Sequence, residues 1–245
     1  MTVTSAKGEV RVFRDLGELS RAAADFFCDV AAKAGRGGGE IFIALSGGST
    51  PERLYETLST QEYHDRVPWM RTHLFWSDER CVPPDHPDSN YGRAAAALAG
   101  LPISPLNVHR MRGEDPREEA AREYEAEMRE AFKILPSDVP RFDLMLLGLG
   151  EDGHTGSLFP GTSALEDTTD LATSVYVEKL KSHRLTLTFP VINNSGNVVF
   201  LVSGEKKRDI FRRVMEDESA NLPAQRVRPT NGKLVWFVDE AVMGR

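Results

Sequence analysis

Short apolar segments alternate with longer segments of helical periodicity along almost the whole chain. The apolar segments are typical of buried strands, and the longer ones place apolar residues on one helical face. The pattern predicts strands at residues 10–13, 41–45, 73–76, 108–111, 142–147, 172–177, 184–189, 197–202 and 234–238. It predicts helices at residues 16–34, 50–58, 90–99, 116–135 and 206–215. The alternation predicts an α/β fold in which helices cover both faces of a mostly parallel sheet.

The composition excludes several classes of protein and is consistent with the predicted fold. The 245 residues show no internal repeat or clear linker, so we expect one domain over residues 1–245. No apolar run approaches the roughly 20 residues of a membrane-spanning helix, and the N-terminus lacks the apolar core of a secretory signal. We therefore expect a cytoplasmic protein with no membrane partner. The net charge of −7 argues against a nucleic-acid partner, and two cysteines argue against a cysteine-based metal site.

A glycine-rich loop follows the strand predicted at 41–45, and it consists of Ser46, Gly47, Gly48, Ser49 and Thr50. Ser49 and Glu52 have the spacing of a capping box, which predicts a helix start here. Two glycines between hydroxyl side chains also allow successive N–H groups to point into one concavity, which suits a phosphate. The residues leave both interpretations open, an ordinary capped turn or an anion site, and the Gly-Gly pair favours the anion site.

A charged segment, Asp78-Glu79-Arg80, follows the strand predicted at 73–76. An isolated charge run is usually a solvated loop with an internal ion pair. Here the run comes after a buried strand, as the glycine-rich loop does, and this favours a functional role. Asp78 can accept hydrogen bonds from hydroxyl groups, and Arg80 can bind an oxyanion.

A second glycine-rich loop, residues 148–157, follows the strand predicted at 142–147 and contains Asp152 and His154. Histidine is the side chain best suited to exchanging a proton near neutral pH. The glycine spacing also matches a dinucleotide-binding motif. That motif should open a long helix, whereas Pro160 and Gly161 interrupt the chain here, so we set the dinucleotide interpretation aside.

Taken together, the three loops resemble the 6-phosphogluconolactonase family. The matching segments are 46–51 (SGGSTP), 78–80 (DER), 88–90 (DSN), 147–160 (LGLGEDGHTGSLFP), 184–188 (RLTLT) and 202–204 (VSG) followed by Lys207. The resemblance implies a Rossmann-like three-layer α/β sandwich, shared with glucosamine-6-phosphate deaminases. It also implies hydrolysis of 6-phospho-D-glucono-1,5-lactone without a metal or organic cofactor, so the expected partner is a sugar phosphate lactone.

The resemblance also implies roles for individual residues. His154 would be the base that activates water, and Arg80 would oppose charge on the carbonyl oxygen. Asp78 and Asp152 would orient water, hydroxyls or the histidine, and the sequence does not separate their tasks. The phosphate would bind the 46–50 loop together with Arg184 and Lys207, which without the resemblance would be taken as a strand-edge charge and a solvated helix residue.

Two alternatives remain at the level of the sequence. One is an amino-sugar phosphate deaminase or isomerase of the same fold, which would need to abstract a proton from a sugar carbon and would need a second carboxylate around the histidine loop. The other is a non-catalytic sugar-phosphate binding protein, which would need only the phosphate contacts.

Overall fold

Strands and helices alternate in the computed structural model, which describes residues 2–5 and 7–245. The strands are β1 (Thr2–Ser5), β2 (Gly8–Phe13), β3 (Ile41–Leu45), β4 (Thr72–Trp76), β5 (Asp78–Arg80), β6 (Leu144–Leu147), β7 (Ala172–Val177), β8 (Ser182–Leu187), β9 (Asn197–Val202) and β10 (Lys233–Asp239). The helices are α1 (Leu16–Ala34), α2 (Ser49–Leu58), α3 (Gln61–His64), α4 (Asn90–Ala97), α5 (Arg117–Phe132), α6 (Phe189–Asn194), α7 (Arg208–Glu216) and α8 (Glu240–Met243). The helix predicted to reach residue 135 ends earlier, because Lys133 adopts a left-handed conformation with φ of 53°.

The main sheet has the strand order β1-β2-β10-β9-β6-β3-β4. Within the described residues β1 pairs antiparallel with β2, and the pairings from β2 through to β4 are parallel. The predicted fold class, a Rossmann-like three-layer α/β sandwich, is therefore confirmed.

Helices bury both faces of this sheet, which explains why its strands are continuously apolar. In β6, Leu144 and Leu146 pack in a core that includes side chains of α1 and α2. Met145 and Leu147, which alternate with them, pack in a second core that includes side chains of α5 and α7. The period of two along an extended strand places neighbouring residues on opposite faces, so every side chain of β6 is buried.

A second, three-stranded sheet with the order β5-β8-β7 was not predicted. β7 and β8 lie close to where strands were expected, but they form an antiparallel hairpin instead of joining the main sheet. The predicted charged loop at 78–80 is itself strand β5, which pairs antiparallel with β8. The sequence did not indicate this sheet because β5 meets a strand more than 100 residues away in the chain.

The strand predicted at 108–111 is wrong. Val108 forms only an isolated parallel bridge with Leu74 of β4. The His109 N–H donates to the Leu74 carbonyl oxygen at 2.8 Å, and the Gly113 N–H then donates back to the Met111 carbonyl oxygen at 3.1 Å. The chain therefore turns away after one contact with the sheet edge.

The carboxyl ends of β9, β6, β3 and β4 are neighbours at one edge of the main sheet. Parallel strands all present their carboxyl ends to the same edge, and ligands of such sheets usually bind there. The loops that follow these strands therefore meet, although they are far apart in sequence. Among the described residues, no helix combines the length and apolarity needed to span a membrane.

Candidate active site

A cavity of about 600 Å³ lies at this edge of the sheet. It is lined by the 46–50 loop, by Asp78 and Arg80 of β5, by the 148–157 loop, by the hairpin of β7 and β8, and by the turn after β9. All of the predicted site residues except Asp152 line it. Among the described residues, no group of three or more His, Cys, Asp or Glu side chains is placed to hold a metal ion.

The 46–50 loop leads directly into α2, and its backbone is open to a ligand. Gly48 precedes the helix with φ of 107°, a conformation that favours glycine, and no side chain caps the helix start. The predicted capping box is wrong, because the Glu52 carboxylate instead pairs with Arg93. The buried Tyr55 hydroxyl accepts from the Ser46 N–H at 2.9 Å and donates to the Ser46 carbonyl oxygen at 2.7 Å. A fixed loop at an uncapped helix N-terminus is well suited to bind an anion.

Two arginines face each other across β5 and β8, where Arg80 is directly opposite Arg184. Arg80 donates to the Asp88 carbonyl oxygen at 2.7 Å, and Arg184 donates to the Ser182 hydroxyl at 2.6 Å. Neither guanidinium has an ion-pair partner among the carboxylates of the described residues. Burial, together with the charge of Arg80, lowers the pKa of Arg184. Like charges opposite each other on paired strands are unfavourable, so this arrangement favours a bound anion.

Lys207 adds a third cation from the turn that follows β9. It ends the short turn Glu205–Lys207, which Gly204 opens with φ of 94°. Burial lowers the pKa of Lys207, although the nearby carboxylates Glu151 and Asp152 act in the opposite direction.

A buried carboxylate that the sequence analysis missed holds this turn in place. Asp239, which is 4% exposed, accepts from the Gly204 N–H at 3.1 Å and from the Ser203 hydroxyl. It lies at the end of β10, and nothing in the sequence around it distinguishes it from a surface aspartate.

The ring of His154 is held on three sides. Its Nδ1 lies 2.5 Å from Oδ1 of Asp152, and its ring stacks on Phe159 with 3.9 Å between the centroids. Gly150 lies against the third side, because a Cβ at this position would be 2.0 Å from the ring atoms Nδ1 and Cε1. Since Nδ1–H donates to the carboxylate, Nε2 is left as the basic nitrogen.

Asp152 lies behind His154 and also pairs with Lys179. Burial raises the pKa of Asp152, but the hydrogen bonds from His154 and Lys179 outweigh burial, and the net effect lowers it well below its usual value. Lys179 lines the cavity from the turn between β7 and β8, with its ammonium 4.9 Å from the Phe159 ring centroid. The sequence analysis missed Lys179, because a lysine in a hairpin turn is ordinarily a solvated charge.

Asp78 has a different environment from Asp152, and the structure thereby separates two residues that the sequence left together. Asp78 is 7% exposed, and its Oδ2 accepts from the Ser157 hydroxyl at 2.8 Å. Asp78 therefore joins β5 to the end of the 148–157 loop, whereas Asp152 contacts the histidine itself.

An uncapped helix start, four cations and a histidine held by a carboxylate share one cavity at the carboxyl edge of a parallel sheet. Fold and site together define an α/β enzyme that acts on an anionic small molecule. Residues 14–236 match the sequence profile of the family described as glucosamine-6-phosphate isomerases/6-phosphogluconolactonase. The chain belongs to this family.

Several relatives to which the chain is similar are named as 6-phosphogluconolactonases. It is 44% identical to 6-phosphogluconolactonase of Synechocystis over 82% of this chain and 83% of the relative. It is 37% identical to probable 6-phosphogluconolactonase 1 of Arabidopsis thaliana over 96% of this chain and 92% of the relative. The crystal structure of 6-phosphogluconolactonase from Thermotoga maritima superposes with a TM-score of 0.80 at 33% identity, covering 94% of this chain and 98% of that one.

Proposed function

We propose that this chain, as one domain in the cytoplasm, hydrolyses 6-phospho-D-glucono-1,5-lactone to 6-phosphogluconate in the pentose phosphate pathway. The observation that carries the proposal is the position of His154, which is held by Asp152 in the same cavity as four cations and the start of α2. A lactone is already an activated ester, so its hydrolysis requires mainly a base for water and stabilisation of the developing oxyanion. The named relatives support the same reaction.

His154 Nε2 takes a proton from water as the water oxygen forms a bond to C1 of the lactone. The electron pair of the C1 carbonyl moves onto its oxygen, and Arg80 opposes the resulting negative charge. When the carbonyl re-forms, the bond between C1 and the ring oxygen breaks, and the imidazolium returns the proton to the ring oxygen. Asp152 keeps Nδ1 protonated throughout and stabilises the imidazolium.

The substrate phosphate binds at the other side of the cavity, on the 46–50 loop. The backbone N–H groups at the start of α2 donate to the phosphate oxygens, and Arg184 and Lys207 supply positive charge. Because the phosphate binds the 46–50 loop, the 148–157 loop is free to approach the lactone ring. The net charge of −7 continues to argue against a nucleic-acid partner.

The site favours a lactonase over an amino-sugar phosphate deaminase. A deaminase would need a second carboxylate around the histidine loop, and Glu151 lines the cavity there but precedes the histidine in the chain. Residues 155–159 after the histidine contain no acidic side chain, and Phe159 instead stacks on the His154 ring. A binding protein without activity would need the cations but would not need a histidine held by a carboxylate.

One assay separates the three functions. The protein is incubated with freshly prepared 6-phosphogluconolactone and, separately, with glucosamine 6-phosphate, and the release of acid and of ammonia is followed. We expect acid release above the spontaneous rate and no ammonia. Ammonia release would establish a deaminase, and binding without either product would establish a binding protein.

Two histidine variants test the assignment of the base. His154→Ala should lose most of its turnover and still bind 6-phosphogluconate. His64→Ala is the matched control, because His64 also pairs with an aspartate at 2.7 Å but lies on the surface, outside the cavity. A kcat near that of the wild type in His154→Ala would remove His154 from the role of base.

A further inference from the structure

Asn90, the first residue of α4, has a buried oxygen without a hydrogen-bond partner at the wall of the cavity. The residue is 2% exposed, and its Oδ1 accepts no hydrogen bond within the described part of the chain. Three other buried side-chain polar atoms lack a partner among the described residues, but none of them belongs to a residue that lines the cavity. A buried acceptor without a hydrogen-bond partner destabilises the fold, so other contacts must hold this side chain in place.

Hydrogen bonds to β5 fix both the backbone and the amide of Asn90. The Glu79 carboxylate accepts from the Asn90 backbone N–H at 2.7 Å. The side-chain Nδ2 donates to the Asp78 carbonyl oxygen at 2.9 Å. A flipped amide would bring two oxygens together at that contact, so Oδ1 must face away from β5.

Gly47 of the 46–50 loop lies where Oδ1 is directed. A Cβ at Gly47 would be 1.8 Å from Oδ1 and 2.3 Å from Cγ of Asn90. A Cα–Cβ bond is about 1.5 Å long, so Oδ1 lies within about 3.3 Å of the Gly47 Cα, the range of a Cα–H···O contact. Only glycine allows this approach, and the amide of Asn90 therefore joins the 46–50 loop to β5.

We propose that Asn90 is a positioning residue for the substrate phosphate and that it acts through Gly47. This inference rests on the proposed function. The side chain sets the distance between the 46–50 loop and β5, and therefore the direction in which the first N–H groups of α2 point. Outside α4, the polar contacts of Asn90 among the described residues are with Asp78 and Glu79, the longest reaching Oδ1 of Asp78 at 3.3 Å, and none is with His154. Its loss should weaken phosphate binding and leave the chemical step nearly intact.

The test uses the full chain, with Asn90→Ala and Gly47→Ala as the two variants. We expect each to raise KM for 6-phosphogluconolactone about 10-fold, equivalent to the loss of one hydrogen bond, with kcat within threefold of the wild type. The dissociation constant of 6-phosphogluconate, measured by calorimetry, should rise by the same factor. A merely structural role would lower the melting temperature without this selective loss of binding. An unchanged dissociation constant, or a fall in kcat at constant KM, would overturn the proposal.

The double variant Gly47→Ala/Asn90→Ala gives an independent check. Because the Cβ introduced by Gly47→Ala and the amide of Asn90 compete for the same space, the double variant should bind no more weakly than Asn90→Ala alone. If the dissociation constant of the double variant rises by the product of the two single-variant factors, the two residues do not act through each other. If Asn90→Ala fails to fold, Asn90→Ser takes its place, because serine is too short to keep the contact of the amide with Gly47.

A buried asparagine outside the cavity supplies the matched control. Asn107 is 9% exposed, and its Nδ2 donates to the Met70 carbonyl oxygen at 3.1 Å. Asn107→Ala should leave the dissociation constant of 6-phosphogluconate unchanged, and an equal loss there would overturn the proposal. If the wild type hydrolyses no lactone, the proposed function fails, and the binding measurements still decide the role of Asn90.

Discussion

Replacing Asp152 by asparagine tests how much of the reaction depends on the pair of Asp152 and His154. Asparagine keeps the size of the side chain and removes its negative charge. If its amide group faces the histidine, Nδ1 must become the acceptor, and the proton moves to Nε2, where it blocks the base. If its oxygen faces the histidine instead, its amide group meets the ammonium of Lys179, which is 51% exposed and can move away. In both orientations the imidazolium formed during the reaction loses its counter-charge.

The size of this loss follows from the geometry. Nδ1 and Oδ1 are 2.5 Å apart, and we take about 4 Å between the centres of the two delocalised charges. An effective dielectric constant of about 20 then gives about 4 kcal/mol. The two side chains are 27% and 30% exposed, and solvent screening reduces this to ~2 kcal/mol at the low end. These limits correspond to a fall in kcat of roughly 30-fold to 1000-fold.

The assay is the initial rate of acid release from fresh 6-phosphogluconolactone, corrected for spontaneous hydrolysis. KM should change little, because Asp152 does not line the cavity. Asp65→Asn is the matched control, since Asp65 holds Nδ1 of His64 at 2.7 Å on the surface and should leave kcat unchanged. A kcat of Asp152→Asn within threefold of the wild type would refute the role assigned to this carboxylate.

The stability of the same variant should depend on pH in a defined direction. The folded pKa of Asp152 lies below its unfolded value of about 3.9, so the carboxylate stabilises the fold above that pH. The contribution is lost as the pH falls toward the folded pKa. Asp152→Asn should therefore be less stable than the wild type at pH 7 in urea, and the difference should shrink on acidification below pH ~4. A difference independent of pH would contradict this account.

Three further predictions concern the cavity and its support. Lys207→Ala should mainly raise KM, because we assign Lys207 to the binding of the phosphate and not to the reacting carbon. Gly150→Ala should lower kcat at least about 10-fold, since its Cβ would displace the His154 ring from Asp152 while the backbone accepts alanine. Glu79→Gln should lower the free energy of unfolding by about 2 kcal/mol, because the carboxylate accepts three backbone N–H groups and an amide nitrogen would face some of them.

Each of these has a control in the same chain. Lys206 is exposed next to Lys207 and outside the cavity, and its alanine variant should keep the wild-type KM. Gly39 lies outside the cavity, and a Cβ there would come no closer than 3.4 Å to its nearest neighbour, the Ala34 carbonyl oxygen, so Gly39→Ala should retain kcat. Glu166 is 81% exposed in its ion pair with Arg226, and Glu166→Gln should change stability by less than about 0.5 kcal/mol. Equal effects in a variant and its control would contradict the corresponding prediction.

The sequence was most informative where a signal is local. The apolar run at β6 and the glycines after it predicted a buried strand and a loop, and the structure has both. It was least informative about β5 and the hairpin of β7 and β8. Asp78-Glu79-Arg80 looked like a solvated charge run because its strand partner, β8, lies more than 100 residues further along the chain. The same separation concealed that Arg80 and Arg184 are opposite each other.

The residues missed in the site share one property, which is that their roles depend on a partner far away in sequence. Lys179 becomes part of the site only because the β7–β8 turn brings it to Asp152. Asp239 becomes structural only because β10 ends beside the turn at Gly204. Asn90 belongs to the matching segment 88–90 of the sequence, but its contact with Gly47 exists only in the folded chain.

By itself, the sequence determined the kind of structure and the chemistry available: a parallel sheet covered on both faces, glycine-rich loops after its strands, and one histidine among carboxylates. These follow from periodicity and from the conformational freedom of glycine, which are local properties of the chain. Only the tertiary structure decided which carboxylate holds His154, which cations share a cavity, and why position 47 must be glycine. Those are distances between side chains from separate strands, and they are fixed by the order in which the strands pair.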